Sequence, residues 1–265
     1  MMIIKKDSSV FLRHTIVATL GDENIEVRAY ESIDSTNSEA KRYALTATER
    51  TPTLFVAKEQ SAGRGRVGRS FISRKNRGIY MTLLYFADAI EDTVSVTTHA
   101  AVAVAIAIEE ITGRKMKIKW VNDIFDERGK VSGILVEGQM TRLGYAVAIG
   151  IGINIGECDF PDEIKDIASS IGDIGAGEGS LISLIAKRLL TYAKKSEDKS
   201  FMAEYRARFM LDGKKVLLSM ADGAEKHGKV IGVDDDGGLI IDTESGREVI
   251  RSGSVSVRVA EENKR

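Results

Sequence analysis

The segment YAVAIGIGINI, residues 145–155, constrains the fold more than any other stretch, because glycine and isoleucine alternate within it. Successive side chains of a β-strand point to opposite faces of the sheet. One face of this strand therefore carries Ile149, Ile151 and Ile153, whereas Gly150 and Gly152 leave the other face bare. Bare strand faces occur where something packs very close to the backbone, often a ligand.

Several other segments have the alternation and the turn residues that are typical of strands. The predicted strands lie in TLFVAKEQ, GIYMTLLYF, KMKIKW and VSGILVEGQM, and DERGK makes a hairpin turn before the last of them. From about Leu211 the chain consists of short strands separated by glycine and aspartate turns. This C-terminal texture predicts a small all-β unit.

Helices are predicted at four places. Thr36 and Glu39 have the spacing of a capping box, which predicts a helix that begins near Asn37. A long apolar helix ends at Gly113, since glycine commonly terminates helices. Two more helices follow, in SLISLIAKRLLTYAKK and KSFMAEYRARFM.

The charges of the chain almost cancel. It contains 38 lysines and arginines against 39 aspartates and glutamates, for a formal net charge of −1. A dedicated nucleic-acid binder normally carries a basic surplus, so any positive site here is local.

Composition also predicts a cytoplasmic protein without a membrane segment. The single cysteine, Cys158, cannot form an internal disulfide, and its expected role is that of a half-buried apolar residue. The start of the chain, MMIIKKDSSVF, is a poor signal peptide. The longest clean apolar run, Ala100 to Ile108, is far shorter than the roughly 20 residues of a membrane-spanning helix.

Positive charge is concentrated in the loop EQSAGRGRVGRS, where three arginines and three glycines fall between residues 63 and 69. Glycines allow close backbone approach, and the arginine fork matches carboxylates and phosphates. The loop lacks both the lysine-serine/threonine ending of a Walker loop and the glycine spacing of a Rossmann fold. It therefore predicts an anionic ligand, with an exposed basic turn or an RNA contact as the alternatives.

Two further motifs suggest a site. Lys119, Asn122, Asp123 and Lys130 converge in KWVNDIFDERGKVSGILVEG, a reasonable setting for an activated phosphate or an ordinary charged hairpin. The tripeptide STN, residues 35–37, stands at a helix start, where it either caps the helix or holds a compact polar headgroup.

Taken together and in order, these motifs resemble those of the biotin–protein ligases, also called biotin–[acetyl-CoA-carboxylase] ligases. The resemblance runs from about residue 25 to 258, through IDSTN, EQSAGRGRVGR, KWVNDI, GKVSGILVE, IGIGINI and GKVIGVDDDGGLIIDTESG. Enzymes of this family make biotinyl-5′-adenylate from biotin and ATP, release pyrophosphate, and transfer biotin to one lysine of a carrier domain.

The resemblance implies an α+β fold, with a mixed sheet that has helices packed on one face, as in the class II synthetase-like biotin and lipoate ligases. A small C-terminal β-barrel follows. The implied organisation is an N-terminal extension over residues 1–24, a catalytic domain over 25–210 and the β-barrel over 211–265. The function of the extension is not explained by the sequence.

The resemblance also assigns roles to residues. Contacts to biotin fall on Ser35, Thr36, Asn37, Gln60, Gly63, Arg64, Gly65, Arg66, Lys130 and Gly133. Contacts to ATP fall on Arg64, Arg66, Arg69, Phe71, Asn122, Lys130, Asn154 and Arg258, with Asp123 as the Mg²⁺ ligand. Lys130, Arg64 and Arg66 would be the catalytic residues, since they neutralise the carboxylate and the phosphate that must meet. The loop would close over the adenylate and become ordered with it.

The sequence departs from the family pattern in two ways. Val121 stands where the family has proline, which loosens the backbone before Asn122 but removes no contacting group. Only 34 residues precede Ser35, and they lack a convincing helix–turn–helix pattern, so we expect a monofunctional ligase without a DNA-binding domain. The implied partner is a biotin carboxyl carrier domain, and the resemblance leaves a homodimer open. The alternatives are a lipoate–protein ligase of the same fold and a non-catalytic biotin-sensing protein.

Overall fold

The computed structural model describes residues 8–21, 24–66, 68–193, 199–220, 223–251 and 256–259. Two sheets and five α-helices organise these residues. In chain order the elements are α1 (Ser8–Leu20), β1 (Glu26–Tyr30), α2 (Thr36–Thr46), β2 (Thr53–Ala57), β3 (Gly78–Ala87), α3 (Thr93–Thr112), β4 (Lys117–Lys119), β5 (Asp123–Phe125), β6 (Lys130–Thr141), β7 (Gly144–Asn154), α4 (Glu178–Ala193), α5 (Phe201–Arg208), β8 (Lys215–Ser219), β9 (Glu225–Val233), β10 (Leu239–Thr243), β11 (Gly246–Ile250) and β12 (Ser256–Val259).

The larger sheet has seven strands in the order β1-β2-β3-β7-β6-β5-β4. β1 and β2 run parallel, and the remaining neighbours are antiparallel. The prediction of a mixed sheet is therefore confirmed. The glycine-alternating strand β7 lies between β3 and β6, in the centre of the sheet, and its Ile149, Ile151 and Ile153 are buried in the main core as predicted.

Helices cover both faces of this sheet. α3 and α4 pack on the face that carries Leu54 and Val56 of β2, and α1 packs on α4 and β1. α2 packs on the opposite face, where a smaller cluster joins its Ala40 and Ala44 to Phe55. The prediction of helices on one face thus holds for α1, α3 and α4, whereas α2 lies on the other face. The small side chains of α2 let it lie close to the strands.

α3 is a core helix. By length and composition it could cross a membrane, but 72% of its apolar window is buried inside the protein. Gly113 ends it in the left-handed conformation with φ +69°, as its sequence predicts.

The C-terminal strands form a five-stranded antiparallel sheet in the order β11-β10-β9-β8-β12. This confirms the predicted small β unit. In the part of the chain that the structure describes, β11 and β12 are the two edges of an open sheet rather than a closed barrel. Val216, Leu218 and Val230 of this sheet are buried in the same continuous core as the larger sheet.

The N-terminal helix α1 belongs to this core, a feature that the sequence did not indicate. Ile16 and Leu20 are 0% and 3% exposed. Ser183 of α4 donates its hydroxyl to the carbonyl of Ile16 at 3.2 Å. The helices approach so closely that a Cβ on Gly179 would lie 2.5 Å from Cγ2 of Thr15.

We predict that Ile16→Ala destabilises the protein by about 2–5 kcal/mol, because it leaves a cavity between α1 and α4. Val17→Ala is the matched control, since Val17 lies on the same helix but is 44% exposed. The free energy of unfolding from urea titrations checks this. Equal effects of the two substitutions would contradict the packing of α1 in the core.

Candidate functional site

Most of the predicted site residues surround one cavity of about 180 Å³ beside β6 and β7. The predicted residues that line it are Ser35, Asn37, Gln60, Arg64, Gly65, Arg66, Arg69, Phe71, Asn122, Asp123, Lys130 and Gly133. We call the part around residues 35–37 and Gln60 the polar end. We call the part around Lys119, Asn122, Asp123 and Lys130 the charged end.

Hydrogen bonds fix the side chains of the polar end. Ser35 caps α2 and accepts from the backbone N–H of Ser38. The backbone N–H and the hydroxyl of Thr36 both donate to Oε1 of Gln60, at 2.8 and 3.1 Å. Gln60 in turn donates from Nε2 to the hydroxyl of Ser73 at 2.8 Å. The carboxamide of Gln60 thus has a defined orientation at the cavity wall.

Asn37 is held between the helix and the sheet. Its Nδ2 donates to the carbonyl of Leu135 at 3.1 Å and to Oε2 of Glu137 at 3.0 Å. Its Oδ1 accepts from the buried hydroxyl of Thr82 at 2.7 Å. Both amide hydrogens are therefore used within the protein, so Asn37 shapes the cavity as well as lining it.

The bare face of β7 accommodates two of these side chains. A Cβ on Gly150 would lie 2.1 Å from Oδ1 of Asn37, and one on Gly152 would lie 2.4 Å from Cε1 of Phe71. The prediction that something packs very close to this face is confirmed. The close groups are Asn37 and Phe71 of the protein itself, and both line the cavity.

The arginine-glycine loop forms a short hairpin above the cavity. Arg64 pairs with Ser70 in a β-bridge, and the N–H of Gly65 donates to the carbonyl of Arg69 at 2.7 Å. Gly63 is not among the residues that line the cavity. It allows the loop to pack closely, because a Cβ there would lie 2.3 Å from the carbonyl oxygen of Phe71. Val67 lies outside the described residues. Ordering of the loop by a ligand stays a prediction.

Glu137 connects this loop to the polar end. Its carboxylate accepts from Asn37 and Lys41, each at 3.0 Å, and from Nη1 of Arg64 at 3.2 Å. Nη2 of Arg64 completes an ion pair with the other carboxylate oxygen at 3.2 Å. Burial alone raises the pKa of Glu137. The hydrogen bonds from Asn37 and Lys41 and the charges of Lys41 and Arg64 outweigh burial and hold the pKa below its ordinary value.

The charged end concentrates three cations around a carboxylate and an amide. Nη1 of Arg66 donates to Oδ1 of Asn122 at 2.6 Å, and burial lowers the pKa of the Arg66 guanidinium. Nζ of Lys130 lies 2.7 Å from Oδ1 of Asp123. Burial also lowers the pKa of Lys119, and the neighbouring charge of Lys130 adds to that effect while Asp123 opposes it. Desolvated cations of this kind gain most from an anionic ligand.

Backbone hydrogen bonds to residues 167–169 hold the backbone at Lys130. Lys130 N–H donates to the carbonyl of Ile167 at 2.7 Å, and the N–H of Ser169 donates to the carbonyl of Lys130 at 2.8 Å.

Asn154, at the end of β7, donates from Nδ2 to the carbonyl of Ser169 at 2.8 Å. Asn154 lines a neighbouring cavity with Arg77 and the half-buried Cys158 rather than the main one. Its contact with a nucleotide stays a prediction.

Three other predicted features sit at the margin of the cavity. Thr36 lies behind the polar end, where its hydroxyl contacts Gln60 and Thr82.

Arg258 is an exposed residue of β12, close enough for its charge to lower the pKa of Lys119. Its neighbour Val257 lines the cavity. Val121 is buried, and the peptide bond between Trp120 and Val121 is cis.

The donor set fits a magnesium ion that is shared with a phosphate ligand. Asp123 is the one carboxylate among the described residues of the cavity wall. In the described ranges no group of three or more His, Cys, Asp or Glu side chains could hold a metal by itself. Mg²⁺ commonly takes one or two carboxylates and completes its shell with water and substrate phosphates.

Comparisons with known proteins agree with this site. Residues 29–154 match the biotin/lipoate A/B protein ligase family, and residues 213–258 match the biotin protein ligase C terminal domain. The chain belongs to the biotin protein ligase family.

Relatives and solved structures of this family resemble most of the chain. The bifunctional ligase/repressor BirA of Bacillus subtilis is 35% identical over an alignment of 216 positions, which covers 77% of this chain and 66% of that protein. A biotin–[acetyl-CoA-carboxylase] ligase of Paracoccus denitrificans is 28% identical over 84% of this chain and 96% of its own length. The structure of the biotin protein ligase from Aquifex aeolicus in complex with biotin and ATP has a TM-score of 0.74 and 29% identity, over 90% of this chain and all of that chain.

Two residues of this site were not predicted from the sequence. Trp120 lines the cavity, and Glu137 lies behind it, where it is bonded to Asn37. Lys119 was predicted as part of the charged motif and lines the cavity. A signal for Glu137 exists, because a lone carboxylate interrupts the apolar strand VSGILVEG two residues after Leu135. Its partners come from distant segments and cannot be read from that strand.

We predict that Glu137→Gln lowers the stability of the protein near neutral pH by about 1–3 kcal/mol, because the charge-assisted bonds to Asn37, Lys41 and Arg64 weaken. The folded pKa of Glu137 is depressed, so this stability is present above its unfolded value of 4.5 and is lost as pH falls through the folded pKa. Urea unfolding at several pH values measures both effects.

Glu110→Gln serves as the control, because Glu110 makes a half-exposed ion pair with Arg188 on the outer surface of the helices. It should change stability far less. Identical pH profiles for wild type and Glu137→Gln would contradict the role of Glu137.

Proposed function

We propose that this chain is a biotin–protein ligase. It activates biotin with ATP to biotinyl-5′-AMP, releases pyrophosphate, and transfers the biotinyl group to a lysine of a biotin carboxyl carrier domain. The observation that carries the proposal is one cavity whose polar end is built from neutral hydrogen-bonding side chains and whose charged end holds Arg66, Lys119 and Lys130.

The polar end suits the ureido ring of biotin. Ser35 and Gln60 present a hydroxyl and an oriented carboxamide at the wall, and Gly150 and Gly152 of β7 line the cavity as well. Such groups can donate hydrogen bonds to a neutral ring and accept hydrogen bonds from it. A ligand without these ring groups would leave the buried polar atoms of the protein unpaired. Phe71 covers the face of β7 at Gly152 and adds an apolar surface to the cavity wall.

The charged end suits the meeting of two anions. The biotin carboxylate must approach the α-phosphate of ATP, and the cations Arg64, Arg66 and Lys130 reduce their repulsion. Mg²⁺ bound by Asp123 and the phosphates would add positive charge at the leaving pyrophosphate. Lys130 is now paired with Asp123, and Arg66 with Asn122, so the protein keeps its cations in place before the ligands arrive.

The reaction needs no protein nucleophile. A carboxylate oxygen of biotin attacks the α-phosphorus, and the bond to the bridging oxygen of pyrophosphate breaks. The neutral amine of the carrier lysine then attacks the carbonyl carbon of the mixed anhydride, AMP departs with the electron pair, and the amine gives up a proton. Cys158 lies at the neighbouring cavity, away from this path.

The relatives support the partner and the setting. The Paracoccus denitrificans relative is named a biotin–[acetyl-CoA-carboxylase] ligase, so the carrier domain of a biotin-dependent carboxylase is the proposed acceptor. We propose a cytoplasmic protein with a catalytic domain over residues 25–210 and a C-terminal domain over 211–265. The family resemblance leaves a homodimer open, and the oligomeric state stays a prediction.

The test is incubation with biotin, ATP, Mg²⁺ and a biotin carboxyl carrier domain, followed by intact-mass spectrometry of the carrier. We expect a biotinyl mass increment on the carrier. Lys130→Ala should slow its appearance by about 10²–10³-fold, because a charge at the reacting centre is removed. Lys226→Ala, which removes a half-buried lysine of β9 that pairs with Glu248 away from the cavity, is the control.

The other outcomes identify the rival functions. Tight binding of biotin without a mass increment would indicate a biotin-sensing protein. Neither binding nor an increment would indicate a lipoate ligase, and lipoate would then replace biotin in the same assay.

The lowered pKa of Lys119 predicts a pH dependence. Lys119 is cationic below its pKa, so ATP affinity should fall as pH rises through that value, which lies below the ordinary 10.5. The KM for ATP should therefore increase on the alkaline side in the wild type. Lys119→Arg keeps its charge over this range and should not show the increase. Lys117→Arg, on the exposed side of β4, should behave as wild type.

A further inference from the structure

A turn of the C-terminal sheet reaches the wall of the active-site cavity. Residues 234–238 connect β9 to β10, and we call them the 234–238 turn. Asp234 closes it, since its Oδ1 accepts from the N–H groups of Asp236 and Gly238 at 3.0 and 2.8 Å. The N–H of Gly237 donates to the carbonyl of Asp234 at 3.1 Å. The turn is therefore rigid within itself.

The tip of this turn is bonded to Trp120. The indole Nε1 donates to the carbonyl oxygen of Gly237 at 2.8 Å, in a hydrogen bond that is buried and joins residues 117 positions apart. Trp120 is 4% exposed, and Gly237 is buried as well. A buried indole N–H without an acceptor costs about 1–3 kcal/mol, so this bond holds both groups in one arrangement.

The 234–238 turn packs tightly against the catalytic domain. Gly237 has φ +82°, a conformation that side-chain-bearing residues rarely adopt, and a Cβ on it would lie 2.6 Å from Cγ2 of Thr98 on α3. Arg206 of α5 holds the other side of the turn through the carbonyl of Val233, to which its Nε donates at 3.3 Å. Its ion pair with Asp235 lies at the surface, where such pairs contribute little to stability. The tip therefore touches the catalytic domain at α3 and Trp120, and its flank touches α5.

Trp120 connects the 234–238 turn to the charged end of the cavity. Its side chain lines the same cavity as Asn122 and Asp123, which follow it by two and three residues. Asn122 in turn accepts the hydrogen bond of Arg66 at 2.6 Å. A displacement of the indole would shift the backbone that presents Asn122 and Asp123. The polar end lies on β7 and α2, with β6 between it and β5.

We propose that the 234–238 turn is a positioning element for the nucleotide side of the reaction, and that it acts through the bond from Trp120 to Gly237. The C-terminal sheet thereby controls the placement of Asn122 and Asp123 without contacting the biotin ring. The proposal rests on the proposed ligase function, and its test includes a readout that is independent of catalysis.

Three variants of the full chain test it. Gly237→Ala forces the tip away from Thr98, and Trp120→Phe removes the N–H donor while keeping an aromatic ring. Asp235→Asn is the matched control, because it lies in the same turn but contacts Arg206 at the surface, where its side chain is 81% exposed. Steady-state adenylate formation, measured as pyrophosphate release, gives the KM for ATP and kcat. Calorimetric titration gives the Kd for biotin.

We expect Gly237→Ala and Trp120→Phe to lower kcat/KM for ATP by about tenfold or more, since small misplacements of positioning groups cost up to about a hundredfold in rate. The Kd for biotin should stay within about twofold, and Asp235→Asn should match the wild type in both. The proposal is overturned if kcat/KM for ATP is unchanged in both variants, or if the affinity for biotin falls by the same factor.

Fluorescence supplies the independent readout, because Trp120 is the single tryptophan of the chain. Its emission should shift to longer wavelength in Gly237→Ala, because displacement of the turn exposes the buried indole to water, and should not shift in Asp235→Asn. Emission that is unchanged in Gly237→Ala would overturn the contact itself. If the wild type releases no pyrophosphate with biotin and ATP, the ligase function fails, while the emission still decides whether the turn holds Trp120.

Discussion

The close approach of side chains to the backbone of β7 is the constraint on which the site depends. Gly150 and Gly152 allow Asn37 and Phe71 to lie directly on the strand, at distances that no Cβ would permit. Asn37 fixes the start of α2 over the sheet, and Phe71 fixes the far end of the arginine-glycine loop. One strand face without side chains therefore sets the position of a helix, a loop and the cavity between them. The isoleucines on its other face anchor it in the core.

Charge organises the rest of the site. Three cations at the cavity have a protein partner, namely Glu137 for Arg64, Asn122 for Arg66 and Asp123 for Lys130. Such partners reduce the free-energy cost of burying a cation and hold it in a defined place. The cations can exchange these partners for a bound triphosphate, since a triphosphate carries more negative charge than one carboxylate or one amide. Preorganised charge of this kind contributes most to catalysis when water is excluded.

The smaller units are built into the same body. α1 packs its Ile16 and Leu20 against the main core, and the C-terminal sheet adds its own apolar residues to it. The 234–238 turn adds a polar connection at Trp120. α1 and the C-terminal sheet therefore share one hydrophobic core with the larger sheet.

The sequence by itself determined the strands, the helices that follow α1 and the requirement for glycine in β7. These features are local, because strand alternation, helix caps and glycine requirements depend on neighbours in the chain. The resemblance of ordered motifs then supplied the family.

Only the tertiary structure decided the rest. It placed α2 on the opposite face of the sheet, gave Asn37 its partner Glu137 across 100 residues, and brought Gly237 to Trp120 across 117. It also directed Asn154 toward Ser169 and the neighbouring cavity. Contacts between distant segments depend on how the elements pack in three dimensions, and the pattern within any one segment carries no record of that packing.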